Sequence, residues 1–282
     1  MNPADESRAR ERASLEVTQA TIDPVFLADV SLAQRAMYPA LLDTNEQHLK
    51  SRGEENPMRW VYFSPLHHAE GGLLTRDLIQ NLHGGEHLLV VGAGLGDIER
   101  YLIKQCAVTP DRITAADIDL REYPSDLGVR TLQFSMLNDW PVERDRYRYI
   151  LIPEALGMAV SWTAGDTLVD RYQIPSERLL EVSCIARDIF DGGPGSIPVE
   201  KANDFLEVVS PPGTRASRSW KVIENALRSL TPEGEVRING HCLDMRALAA
   251  LLLYAERSEV PIPRVAFGRH SLSFQRGIAE SC

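Results

Sequence analysis

The stretch Val90-Val91-Gly92-Ala93-Gly94-Leu95-Gly96-Asp97 joins an apolar run to a helical pattern. Glycines at alternate positions let the backbone turn tightly and let a ligand approach it, while the helix N-terminus presents its free N–H groups. A dinucleotide fingerprint would need a small residue at position 97 for close helix–strand packing. Asp97 does not suit that role, so a nicotinamide or flavin dinucleotide is disfavoured. Asp117 ends the next apolar run, twenty-one residues after Gly96. A carboxylate there can accept both hydroxyls of a ribose. Together the two features read as a nucleoside site with no demand for phosphate.

Other reactive side chains are scattered. His67 and His68 are adjacent. In a helix they point about 100° apart and in a strand to opposite faces, so a chelate from both is disfavoured. His67 alone can serve as a general base at its near-neutral pKa. Cys106, Cys184, Cys242 and Cys282 are isolated, with no C-x-x-C pair, which argues against a metal cluster or a disulfide framework. No metal is expected.

These groups need elements to hold them. Residues 1–84 read as a helical N-terminal cap, with helical spacing at 13–20 and 26–42 and again from Leu73 to Leu82, closed by His83-Gly84-Gly85. From residue 85 the texture alternates between short apolar runs and helices. Strands are expected at 87–91, 113–116, 129–134, 147–152 and 235–239, with a terminal pair at 265–269 and 271–275. That alternation implies a doubly wound, mostly parallel α/β sheet. Residues 161–217 interrupt it and read as an insertion covering the carboxyl edge of the sheet, with a helix over 175–190.

The chain has 282 residues, 30 Lys plus Arg and 40 Asp plus Glu, and a net charge of −10. This acidity argues against nucleic acid as a partner, because that role needs a basic footprint. The longest apolar stretch, LAALLLYA from Leu248, is too short to span a bilayer. The charged start MNPADESRARERASLE shows no secretory signal, so the cytoplasm is the expected location. Oligomeric state is not readable.

With these pieces assembled, the sequence resembles the class I S-adenosylmethionine (SAM)-dependent methyltransferases. The likeness runs from about residue 86 to 160 and resumes at about 217. It rests on LLVVGAGLGD, ITAADID, QFSMLNDWP, YRYILIPEAL and ENALRSLTPEGEVRING. The resemblance implies a seven-stranded Rossmann-like sheet with the last strand antiparallel, and SAM as cofactor. It implies that Gly92, Ala93, Gly94 and Gly96 line the methionine and ribose, Asp117 holds the ribose, Ile118 lies against the adenine, and Met136 and Leu137 form the far side of its pocket. Glu154 falls where the family places polar residues facing the transferred group, and Asn138 can bond the adenine or the amino-acid tail. Tyr62 is a candidate to close over the sulfonium by a cation–π contact, and Tyr172 is a candidate lid residue.

Two positions depart from the family. Val90 stands where an acidic residue usually pairs with the methionine amine, and Met136 where an Asp often contacts the adenine amino group. Without a carboxylate partner the amine should lose its proton more readily, and a neutral amine is a nucleophile. The expected function is methyl transfer to a small molecule. The alternatives are aminocarboxypropyl transfer with release of methylthioadenosine, including cyclisation of SAM alone to azetidine-2-carboxylate, and SAM binding without catalysis.

Overall fold

The computed structural model describes residues 15–34, 64–161, 174–241, 243–268 and 271–278. Tyr62 and Tyr172 lie outside the described residues. The strands are β1 (Glu16–Gln19), β2 (Leu88–Val91), β3 (Ile113–Asp117), β4 (Arg130–Gln133), β5 (Tyr147–Ile152), β6 (Leu230–Asn239), β7 (Arg264–Phe267) and β8 (Ser271–Gln275). They form one sheet in the order β1-β7-β8-β6-β5-β2-β3-β4. Every pairing is parallel except those of β8, which runs antiparallel to β6 and β7. The helices are α1 (24–34), α2 (Pro65–Glu70), α3 (Arg76–His83), α4 (Asp97–Lys104), α5 (Ala155–Ser161), α6 (Ser176–Gly192), α7 (Val199–Val209), α8 (Arg215–Ser229) and α9 (Met245–Arg257).

The central strands read as unbroken apolar runs because both of their faces are covered. Leu88 and Val90 enter a core shared with α1, α3 and α4, whereas Leu89 and Val91 enter the opposite core with α5 to α9. This alternation is the pleat itself. Helix α4 begins at the glycine loop, and Thr75 caps α3 through its hydroxyl. Arg237 on β6, almost fully buried, pins α3 to the sheet. It donates to Thr75 Oγ1 at 2.6 Å, pairs with Glu235 and Asp77, and lies 4.9 Å over the Tyr149 ring.

Seven of the strands match the expected set, and the eighth is a correction. The spacing at 13–20 predicts a helix, yet Glu16–Gln19 is a strand paired in parallel with β7. Val17 and Thr18 are β-branched, and Leu15 and Val17, two apart, both pack on the core shared with α5 to α9. A period of two was present, and sheet pairing at an open edge decided it. A second correction concerns β6, which begins at Leu230. The sequence Thr231-Pro232-Glu233-Gly234 forms an irregularity within the strand, where its register with β5 shifts. The described part of the 161–217 segment packs α6 and α7 against α9. Among the described residues no helix is long and apolar enough to cross a membrane.

Candidate functional site

The glycine loop sits at the carboxyl end of β2, between β3 and β5. Gly92 N and Ala93 N both donate to Ala116 O, at 2.8 and 3.1 Å, which folds the loop over the end of β3. Gly92 has φ +83°, and a Cβ built on it would lie 2.3 Å from Ala155 Cβ and 3.7 Å from Met136 Cε. Only glycine fits there. Three segments distant in sequence thus meet at one point: the loop, the exit of β4 and the start of α5.

Asp117 locks this arrangement. Its Oδ2 accepts from Gly94 N at 2.9 Å and its Oδ1 from Asp119 N at 3.1 Å. Each oxygen retains acceptor capacity for a hydroxyl. The β4 exit is tied down through its backbone: Phe134 N donates to Asp117 O, Trp140 Nε1 to Met136 O and Asn225 Nδ2 to Asn138 O. Met136 is buried, Leu137 half-buried, and Ile118 exposed beside Asp117. An apolar wall and an exposed aliphatic face at the rim of a loop suit a flat ring slotted between them. The Asn138 side chain is exposed.

A second group of side chains gathers one strand further on. Glu154 follows β5, with φ +52° and its N–H donating to Asn239 O at the end of β6. Its Oε1 lies 2.9 Å from His67 Nε2. The sequence offers His67 and Glu154 as separate candidates, and the structure brings them together across 87 residues. His67 rides on α2, started by Ser64, whose hydroxyl accepts from His67 N. His68 is buried, and burial with the adjacent His67 pulls its pKa down to about 3, so it stays neutral. Among the described residues no group of three or more His, Cys, Asp or Glu could hold a metal ion.

Several contributors escape sequence reading. Asn239 is fully buried, its Oδ1 accepting from Gly240 N and its Nδ2 without a partner. Gly240 makes room for Glu154, since a Cβ there would fall 1.8 Å from Glu154 Oε2. The Asn-Gly pair closing an apolar strand is the one signal available. Beneath the glycine loop, Glu99 is completely buried. Burial, with the Asp97 charge adding to it, pushes its pKa up to about 8, against a smaller opposing effect from the nearby Tyr123 hydroxyl; no well-aligned hydrogen bond joins the two. Asp97 is raised to about 6 by burial, which outweighs Arg100.

No family model matches the chain, and no curated protein does. Solved structures do match in chain trace. DszA carbon methyltransferase is 13% identical over 90% of this chain and 67% of its own, with a TM-score of 0.45. A TehB-like SAM-dependent methyltransferase from Corynebacterium glutamicum is 15% identical over 91% and 100%, with a TM-score of 0.39. CalS10, an amino pentose methyltransferase from Micromonospora echinaspora with SAM bound, is 13% identical over 58% and 46%, with a TM-score of 0.31. The chain spans about half the length of some of the structures it matches, CalS10 among them. At these identities the likeness extends to the fold alone. The strand order and the loop at its centre define a mixed α/β protein with a mostly parallel, Rossmann-like sheet.

Proposed function

We propose that this protein binds SAM and transfers its methyl group to a small molecule. The observation that carries the reading is the loop geometry: Gly92 pressed on Ala155, Gly94 held by Asp117, and Met136 closing one side. This is a nucleoside cradle at the carboxyl ends of parallel strands, where open α/β sheets bind ligands. The reacting end of SAM would then point toward β5, where Glu154 and His67 meet. The solved methyltransferases of similar trace agree with this choice of cofactor.

The residues divide the work. Asp117 would hold the ribose, Gly92, Ala93, Gly94 and Gly96 the methionine and ribose backbone, and Ile118, Met136 and Leu137 the adenine. Replacing Asp117 by alanine should weaken SAM binding by about 1–3 kcal/mol, the worth of charge-assisted hydrogen bonds. Unchanged affinity by titration calorimetry would remove Asp117 from the site.

One observation favours a second reading. Val90, at the position where an acid would pair with the methionine amine, is fully buried in the core beneath α3 and α4. No charge stands there to keep the amine protonated, so attack within SAM, releasing methylthioadenosine, is the alternative chemistry. The test is incubation of the protein with SAM alone, read by mass spectrometry. Intact SAM, with S-adenosylhomocysteine only after an acceptor is added, supports methyl transfer. Methylthioadenosine with a product of azetidine-2-carboxylate mass supports cyclisation. A protein that binds SAM and converts it under neither condition is a binding protein.

A further inference from the structure

Glu154 is held in place from three sides. Its backbone N–H donates to Asn239 O, its carboxylate occupies the space that a side chain at Gly240 would fill, and Oε1 meets the His67 imidazole. Its backbone takes a left-handed φ of +52°, a strained conformation for a non-glycine residue that persists only where the surroundings over-determine it. The next residue, Ala155, touches the glycine loop. The carboxylate is therefore one residue from the nucleoside cradle, yet directed away from it, toward β6 and α2. It remains partly open to solvent, at 18%, as does His67, at 21%.

We infer that Glu154 and His67 form a carboxylate–imidazole pair that receives the acceptor, and that the acceptor is an amine. The inference rests on the SAM reading above. A carboxylate one residue from the cradle is the natural counter-ion of an ammonium group, the form in which an aliphatic amine arrives at neutral pH. Attack requires the free lone pair, so one N–H proton must leave first. Glu154 accepts it, and the imidazole hydrogen-bonded to the same carboxylate shares the charge. The nitrogen lone pair then forms the N–C bond to the methyl carbon of SAM. The C–S bond breaks and its electrons remain on sulfur, giving S-adenosylhomocysteine. The methylated product leaves as an ammonium, and the proton held by the pair returns to water. A hydroxyl acceptor offers no positive charge for Glu154 to pair with, and its proton is far harder to remove.

The test uses the full chain with SAM and matched small probes: ethanolamine, glycine and putrescine against ethylene glycol and glycolate. Calorimetry first measures SAM binding by the wild type, and its absence overturns the underlying reading. With SAM bound, the amine probes should yield S-adenosylhomocysteine and the hydroxyl probes none. Glu154→Gln should then lower turnover with the best amine by about 10²–10⁴-fold, and His67→Gln by less, while SAM affinity stays within about twofold of wild type. Retained SAM affinity also shows that the variants are folded. Equal transfer to hydroxyl probes, no transfer to any amine, or full turnover by Glu154→Gln would each overturn the inference. Methylthioadenosine from SAM alone would overturn it too, since the amine attacked with would then be SAM's own.

Discussion

Replacing Gly92 by valine should abolish SAM binding and destabilise the fold by about 2–6 kcal/mol. Two independent costs add. The Cβ would lie 2.3 Å from Ala155 Cβ, a separation real side chains do not tolerate, and overpacking of this kind costs about 1–3 kcal/mol. The backbone also sits at φ +83°, which a β-branched residue adopts only under strain of about 1–3 kcal/mol. The clash is resolved only by pushing α5 and the loop apart, and that opens the cradle. Two measurements separate the terms. Denaturant unfolding reads the total, and Gly92→Val combined with Ala155→Gly removes the clash while keeping the strained φ, so it should recover part of the stability. A Gly92→Val protein that binds SAM as the wild type does would show that the ligand lies elsewhere.

The glycine loop and Asp117 were legible in the sequence because their signal is local. A tight turn after a buried strand requires glycine, and the residues that make the turn are neighbours in the chain. The strands β2 to β5 and the Glu235–Asn239 part of β6 were legible in the sequence as well. β1 was not. Four residues at an edge carry too few positions to distinguish a period of two from one of 3.6, and what makes Glu16–Gln19 a strand is β7, almost 250 residues away. The Glu154–His67 contact belongs to the same class. Each residue could be singled out by type, but only the docking of α2 against the ends of β5 and β6 makes them a pair. Gly240 shows the limit most plainly: the side chain lying against it belongs to Glu154, beyond the end of β5. Position 97, as an acidic residue, stands against a dinucleotide. The structure adds that Asp97 is, among the described residues, one of two buried acids, the other being Glu99, which no local pattern marks as buried.

That buried pair carries the second large effect. Glu99 has both carboxylate oxygens out of water, on the face of α4 under the glycine loop, with Asp97 beside it. In the unfolded chain it titrates near 4.5, and in the folded protein burial raises it to about 8. The folded state therefore holds a proton that the unfolded state releases. Stability is fully present below pH 4.5 and is lost as pH rises toward 8, by an amount on the order of 4 kcal/mol if the whole shift is realised. Glu99→Gln keeps the shape and removes the titration. The variant should match the wild type near pH 4.5, exceed it increasingly above, and differ most near pH 8. His68 works in the opposite direction, since its lowered pKa adds stability as pH rises from about 3 to its ordinary value of 6.5. The difference between variant and wild type at each pH cancels that contribution. Urea unfolding at pH 5 and pH 8 is sufficient. Equal stability of the two proteins at pH 8 would mean that Glu99 finds a partner or water in solution and ionises near its ordinary pKa.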